Sequence, residues 1–342
     1  MLRFSLRRVS LSASRSSISS IRTGPLRRTF GSYSPELPKV PILRPTIWAL
    51  AATATIYIGC ATHNVYREAR IVKRRGDYKE DVIKSYDDLE YVKKRGDGFR
   101  RNLPLPRKER WFPTGHLSAI QSGYTGAEIM TIYFSALNVS LFGAKFLAPS
   151  SVMPYLSHVP AFSPNYTLLT SIFGHSGLLH VSLNTFVLLQ FAPRVTKSHL
   201  FQGNGNHFTA FYLSAGILSS LGHQVGTILP TRTYRFNRFA PAAESSGVIM
   251  AVIGAWATMN LNEKVGIMFL PGSYAVQDLV TFMVALDTFG LFFGLPFLST
   301  AHAAHLSGLA FGWAYAHFDG EKKLWRPTCR SAFLLMKQLK MI

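Results

Sequence analysis

Residues 242–261 read AAESSGVIMAVIGAWATMNL, twenty residues with a single formal charge, Glu244, at the third place. A run of this length and polarity spans the roughly 30 Å hydrocarbon core of a bilayer as a helix. Working outward, similar runs lie near 129–148, 167–192, 207–229, 275–295 and 299–317. Only helices and closed barrels satisfy their backbone in lipid, and the strands of a barrel alternate polar and apolar residues. These runs do not alternate. Six closely spaced helices are therefore expected between residues 126 and 318. A seventh, Pro45 to Tyr66, is uncharged, is bracketed by Arg44 and Arg67, and stands apart from the rest. The expected fold is an all-α membrane protein with one N-terminal transmembrane helix plus a core of six.

The chain carries 37 Lys and Arg against 17 acids, a net charge of +20, with 48% hydrophobic residues. The charges crowd into the first 110 residues, which argues for spans and against a nucleic-acid groove. Residues 1–35 hold seven arginines, ten serines and no acid. Such a leader reads as a mitochondrial transit peptide, with a processing site expected after Phe30. Residues 36–66 then carry the first span. Residues 67–125 form a basic soluble linker with clusters at Lys73-Arg74-Arg75 and Lys93-Lys94-Arg95, a helical stretch expected from Asp81 to Lys94, and breaks at Pro104 and Pro106. The core covers 126–318. A basic tail, 319–342, is expected to lie along the membrane interface through Trp325. The two cysteines, Cys60 and Cys329, fit neither a disulfide framework nor a thiolate metal site.

Polar groups inside spans are costly and mark sites. Ser246-Gly247 opens the fifth span of the chain and is weak evidence alone, because serine is common where helices pack. His305 sits in Ala304-His305-Leu306-Ser307-Gly308, with Gly312 four residues beyond Gly308. Small residues let helix backbones approach. Close approach is what a Ser–His nucleophile pair needs, since the two side chains must come within about 2.6–3.2 Å. Alone, His305 reads equally as a histidine bonding across helices. His180 and Asn184 are four apart and share one helix face. Converging with a backbone amide, they would make an oxyanion hole, or else a polar bridge between helices. Asp287 is placed to orient His305 as a third triad member, to cap a helix break near Gly290 and Gly294, or to sit protonated. His175 lines a water path or a span mouth.

Taken together, His180-x-x-x-Asn184, then Ser246-Gly247, then Ala304-His305-Leu306-x-Gly308 resemble the rhomboid intramembrane serine proteases. The one-plus-six layout and the leader resemble their mitochondrial, presenilin-associated rhomboid-like branch. Tyr212-Leu213-Ser214-Ala215-Gly216, Phe269-Leu270-Pro271, and Asp287-Thr288 followed by His302-Ala303-Ala304-His305-Leu306 add to the likeness, which covers roughly 125–318. The resemblance implies a Ser246–His305 dyad without an obligatory acid. It implies an oxyanion site of His180, Asn184 and the Ser246 amide, with Gly247 and Gly308 supporting close packing, and no metal or cofactor. It further implies single-pass membrane-protein substrates, a dynamin-like fusion GTPase among them, the inner mitochondrial bilayer as environment, and no nucleic acid.

One position departs from the family. The residues before the nucleophile are Glu244-Ser245-Ser246-Gly247, with glutamate where the family has glycine. Glycine permits a tight bend and close substrate backbone. Glutamate there opposes a developing oxyanion, faces the aqueous mouth, or bonds a helix terminus. The departure supports an alternative reading, a catalytically impaired pseudoprotease that binds membrane helices. A transporter would show an internal repeat, and none is visible.

Overall fold

The computed structural model describes residues 38–101, 123–232, 234–267, 270–295 and 301–342. The leader with its processing site, Pro104, Pro106, Phe269 and the first residues of the last expected span lie outside these.

Helix α1 (Leu43–Arg75) contains the first expected span and continues two turns into the charged linker. Ala49, Tyr57, Ala61, Val65, Ala69 and Val72 recur at helical spacing and are buried. Lys73, Arg74 and Arg75 sit where the helix dipole favours cations, and Gly76 closes the helix at φ 76°. Helix α2 (Tyr86–Arg101) lies further along the linker than the expected 81–94. Its start is set by Ser85 and Asp88. The Asp88 carboxylate accepts from the Ser85 hydroxyl and amide, both at 2.9 Å, and these bonds hold it below its ordinary pKa.

Helix α3 (Gly126–Leu147) starts at a capping box in which Thr125 and Glu128 satisfy each other's backbone amides. A short helix α4 (Pro149–Leu156) follows. The expected span 167–192 is not one helix. About two turns, Thr167–Phe173, break at Gly174, and α5 (Leu178–Lys197) departs at 91°. The physical reason is steric: a side chain at Gly174 would run into the Leu156 carbonyl, so the chain folds under α4 there. Helix α6 (Gly205–Gly226) is the inner post, with fifteen buried residues.

Helix α7 (Ser245–Met259) packs against α5, α6 and α9. Its fifteen residues rise only about 22 Å. Because neighbouring helices surround it, its ends need not reach both headgroup layers. A hairpin of β1 (Lys264–Ile267) and β2 (Leu270–Ala275) follows, a feature not anticipated from the sequence. Helix α8 (Val276–Phe293) and helix α9 (His302–His317) complete the core. Apart from 167–192, which is a bent pair, each expected span falls on a helix, in the expected order. Among the described residues, three helices, α1, α3 and α8, are long and apolar enough to cross a membrane, and the bent pair ending in α5 makes a fourth. The protein is a helical, multi-pass membrane protein.

The C-terminal segment is a helix. Helix α10 (Arg326–Gln338) docks on α1 and α2. Trp325 is buried, stacked on His207 with ring centroids 4.5 Å apart. Arg326 and Arg330 bond the Asp87 carboxylate of α2. Charge pairing to the linker helix and a buried aromatic hold this helix against the bundle.

Candidate active site

The site is built where α7 begins. Ala242 exchanges two backbone hydrogen bonds with His158, both 2.9 Å, and the Glu244 amide donates to the Ser171 carbonyl at 3.0 Å. These bonds hold the strand-like entry to α7 in place. Ser246 then falls in the first turn of the helix, half-buried, where unpaired backbone amides give the helix its positive end.

Helix α9 brings His305 to it. The approach depends on glycine. A side chain at Gly308 would collide with the Gly247 carbonyl oxygen, and one at Gly312 with the Ala251 carbonyl oxygen. Gly254 returns the relation from α7, facing the Leu309 carbonyl. With the backbones in contact, the Ser246 hydroxyl donates to His305 Nε2 at 2.7 Å. On the far side of the ring, His305 Nδ1 lies 3.1 Å from Asp287 Oδ1. The carboxylate accepts the Nδ1 proton, which leaves Nε2 as the acceptor, so the two bonds select one tautomer.

The same carboxylate oxygen takes a second histidine. His302 Nδ1 lies 2.6 Å from Asp287 Oδ1. His302 occupies the space beside Gly290, where any side chain would overlap its ring. In the sequence His302 had a place in the likeness but no role in the site. The signal was present in His302-x-x-His305, whose spacing places both imidazoles on one helix face.

The H-x-x-x-N pair stands on the adjoining α5. Lys145 donates to the carbonyls of His175 and Ser176 and fixes the loop leading into that helix. The Ser176 amide donates to His180 Nδ1 at 3.3 Å. A backbone donor cannot accept, so Nδ1 is the acceptor and the His180 proton sits on Nε2. Asn184 is buried and donates through Nδ2 to the hydroxyl of Ser245 at 2.8 Å. It is joined to the residue before the expected nucleophile, a partner the sequence did not disclose. His175 is buried against the His180 ring, with centroids 5.3 Å apart.

Two of the three roles expected of Glu244, facing the aqueous mouth and bonding a helix terminus, are not seen. Its side chain is fully buried and makes no helix cap. It points toward α6, where His223 Nε2 lies 3.8 Å from Oε1. The backbone bonds at Ala242 and Glu244 decide this, by turning the side chain inward.

A hydroxyl donating to a neutral imidazole whose other nitrogen is bound by a carboxylate, at the positive end of a helix, is the arrangement of an activated nucleophile. Residues 164–322, which contain all of these groups, match the family model of the Rhomboid domain. Those residues are a Rhomboid domain by that match. The chain is 27% identical over 302 residues to the mitochondrial presenilin-associated rhomboid-like protein of Homo sapiens, covering 86% of the chain and 70% of the relative. It is 32% identical over 160 residues to the Mus musculus protein of that name, covering 46% of the chain and 39% of the relative. It is 34% identical over 160 residues to presenilin-associated rhomboid-like protein A of Danio rerio, covering 46% and 38%. The chain is thus a mitochondrial protein by kinship and a multi-pass membrane protein by fold.

Proposed function

We propose that this chain is an active intramembrane serine protease of the mitochondrial inner membrane, with Ser246 as nucleophile and His305 as general base. The observation that carries the reading is the 2.7 Å Ser246–His305 bond with Asp287 behind the imidazole. His305 Nε2 takes the hydroxyl proton as Oγ attacks a peptide carbonyl. The charge developing on the carbonyl oxygen is met by the Ser246 amide at the head of α7, by His180 Nε2–H, and by the second N–H of Asn184 Nδ2. The imidazolium returns its proton to the leaving amine. Water then hydrolyses the acyl-enzyme, with the same imidazole as base. Asp287 holds the tautomer and steadies the cation.

The substrates are single-pass membrane proteins, with imported inner-membrane proteins of the dynamin-like fusion GTPase class as the expected example. A helical peptide bond is shielded, so helix-breaking residues near the cleavage point should favour cleavage.

The rival reading, a pseudoprotease, drew on Glu244. That carboxyl is fully buried and lies 3.8 Å from His223 Nε2. The test is labelling of the purified chain by a fluorophosphonate, followed by cleavage of a model single-pass substrate in liposomes. Labelling and cleavage that vanish in Ser246→Ala establish the nucleophile. A folded native chain that neither labels nor cleaves gives the pseudoprotease.

A further inference from the structure

Asp287 is one carboxylate serving two imidazoles, and it is more than a positioning group needs. Its Oδ1 lies 2.6 Å from His302 Nδ1 and 3.1 Å from His305 Nδ1. One donor atom from each of the three residues lies within 4.8 Å of the other two. Two imidazole nitrogens and one carboxylate oxygen form the three-protein-ligand set of an open transition-metal site. We propose that Asp287, His302 and His305 bind a divalent transition metal ion, zinc first among them, and that the bound ion switches the protease off.

The geometry needs little adjustment. Metal–ligand bonds of about 2.0–2.2 Å in a tetrahedron place donors about 3.4 Å apart. The His305–Asp287 pair meets that with a few tenths of an ångström, and the His302–Asp287 pair by opening less than 1 Å. The ring of His302 is already held in the space beside Gly290, and its Nδ1 faces the carboxylate. The fourth position is left to water. Two nitrogens and one oxygen suit zinc, copper(II) or nickel(II). Magnesium and calcium want six or more oxygen ligands and do not fit. Water must reach Ser246 for hydrolysis, and a hydrated ion shares that route through the half-buried His305.

The consequence for activity follows from the proton. In the free protein His305 carries its proton on Nδ1 and accepts with Nε2. A metal at Nδ1 displaces that proton, and the neutral ring then carries it on Nε2. Nε2 becomes a donor facing Ser246 Oγ and is unable to accept the hydroxyl proton. The ion therefore inhibits by fixing the wrong tautomer, with no need to touch the nucleophile. This consequence rests on the protease reading above, whereas the site itself does not.

The test uses the full-length chain in detergent, stripped of metal by chelation and desalting. Cobalt(II) is added and the visible absorption of the tetrahedral ion recorded; zinc affinity is read by competition with a chromogenic chelator. The expected result is about one ion per chain, unchanged in Ser246→Ala, with affinity falling about tenfold or more in His302→Ala and in Asp287→Asn. His302→Gln, which keeps a polar side chain of similar length, guards against a folding defect and should show the same loss. In liposomes, zinc should stop substrate cleavage reversibly, and the inhibiting concentration should rise in His302→Gln by the same factor as the binding loss. Affinity that survives both His302 substitutions places the ion elsewhere and overturns the site. Saturated binding with undiminished cleavage overturns the switch. A chain that never cleaves sinks the protease reading alone, and the cobalt spectrum still decides the site.

Discussion

Helices α7 and α8 both contribute to the candidate site, and they are held in opposite ways. Ten of the fifteen residues of α7 are buried, and its backbone touches α9 through glycines on both sides. Only Val276, Asp287 and Gly290 are buried on the eighteen-residue α8, which turns Phe282, Phe289 and Phe293 outward. The nucleophile thus stands on a mostly buried helix and the acid on a mostly exposed one. Backbone contact leaves no alternative packing for the Ser246–His305 pair, since small shifts at a close-packed interface meet hard repulsion. Asp287 is placed mainly by its own bonds to the two histidines.

The contrast can be broken at its strong end first. Gly308→Leu forces α7 and α9 apart. Cleavage should fall by about a hundredfold or more, because a misplacement near 1 Å is enough for that, and stability in detergent should drop by about 3 kcal/mol. A Gly308→Leu protein that cleaves and melts like the native chain would refute the close-contact account.

Asp287→Asn tests the loosely held partner. Cleavage and fluorophosphonate labelling should both slow by about 100-fold, the low end of a general acid–base contribution. The melting temperature should move little, since α8 buries so few residues. A large stability loss would mean that Asp287 anchors α8 and not only the imidazoles.

Glu244 lies between these extremes, buried beside His223. Glu244→Gln keeps a hydrogen-bonding group opposite His223 and should change the cleavage rate less than about threefold, under about 0.7 kcal/mol. Glu244→Gly, the family's residue, should not raise the rate. A rise on Glu244→Gly would return the glutamate to the role of an obstruction.

The smallest effect is expected on the outer face of α8. Phe289→Ala exchanges protein surface against lipid that is equally apolar, so stability should stay within about 0.5 kcal/mol. A greater loss would show that this face has a protein neighbour.

The helices were legible because the bilayer imposes one rule on all of them, an uninterrupted apolar run. Ser246, His305, His180, Asn184 and Gly308 were legible because each is a polar or minimal residue where lipid favours neither. The bend at Gly174 was hidden, because the residue that forces it is the Leu156 carbonyl, eighteen positions earlier in the chain. The docking of Trp325 on His207 was hidden for the same reason. Asp287 was readable as a candidate but not as a partner, and His302 had no role beside a stronger histidine.

By itself the sequence determined which segments are helices, which polar residues are out of place among them, and that glycines mark a close helix contact. Those are properties of single segments, fixed by local composition and period. Only the tertiary structure decided which nitrogen of His305 faces Ser246, that one carboxylate serves two histidines, and that Glu244 turns inward to His223. Such facts depend on relative helix rotation and on backbone bonds between distant residues, and no local pattern in the chain encodes them.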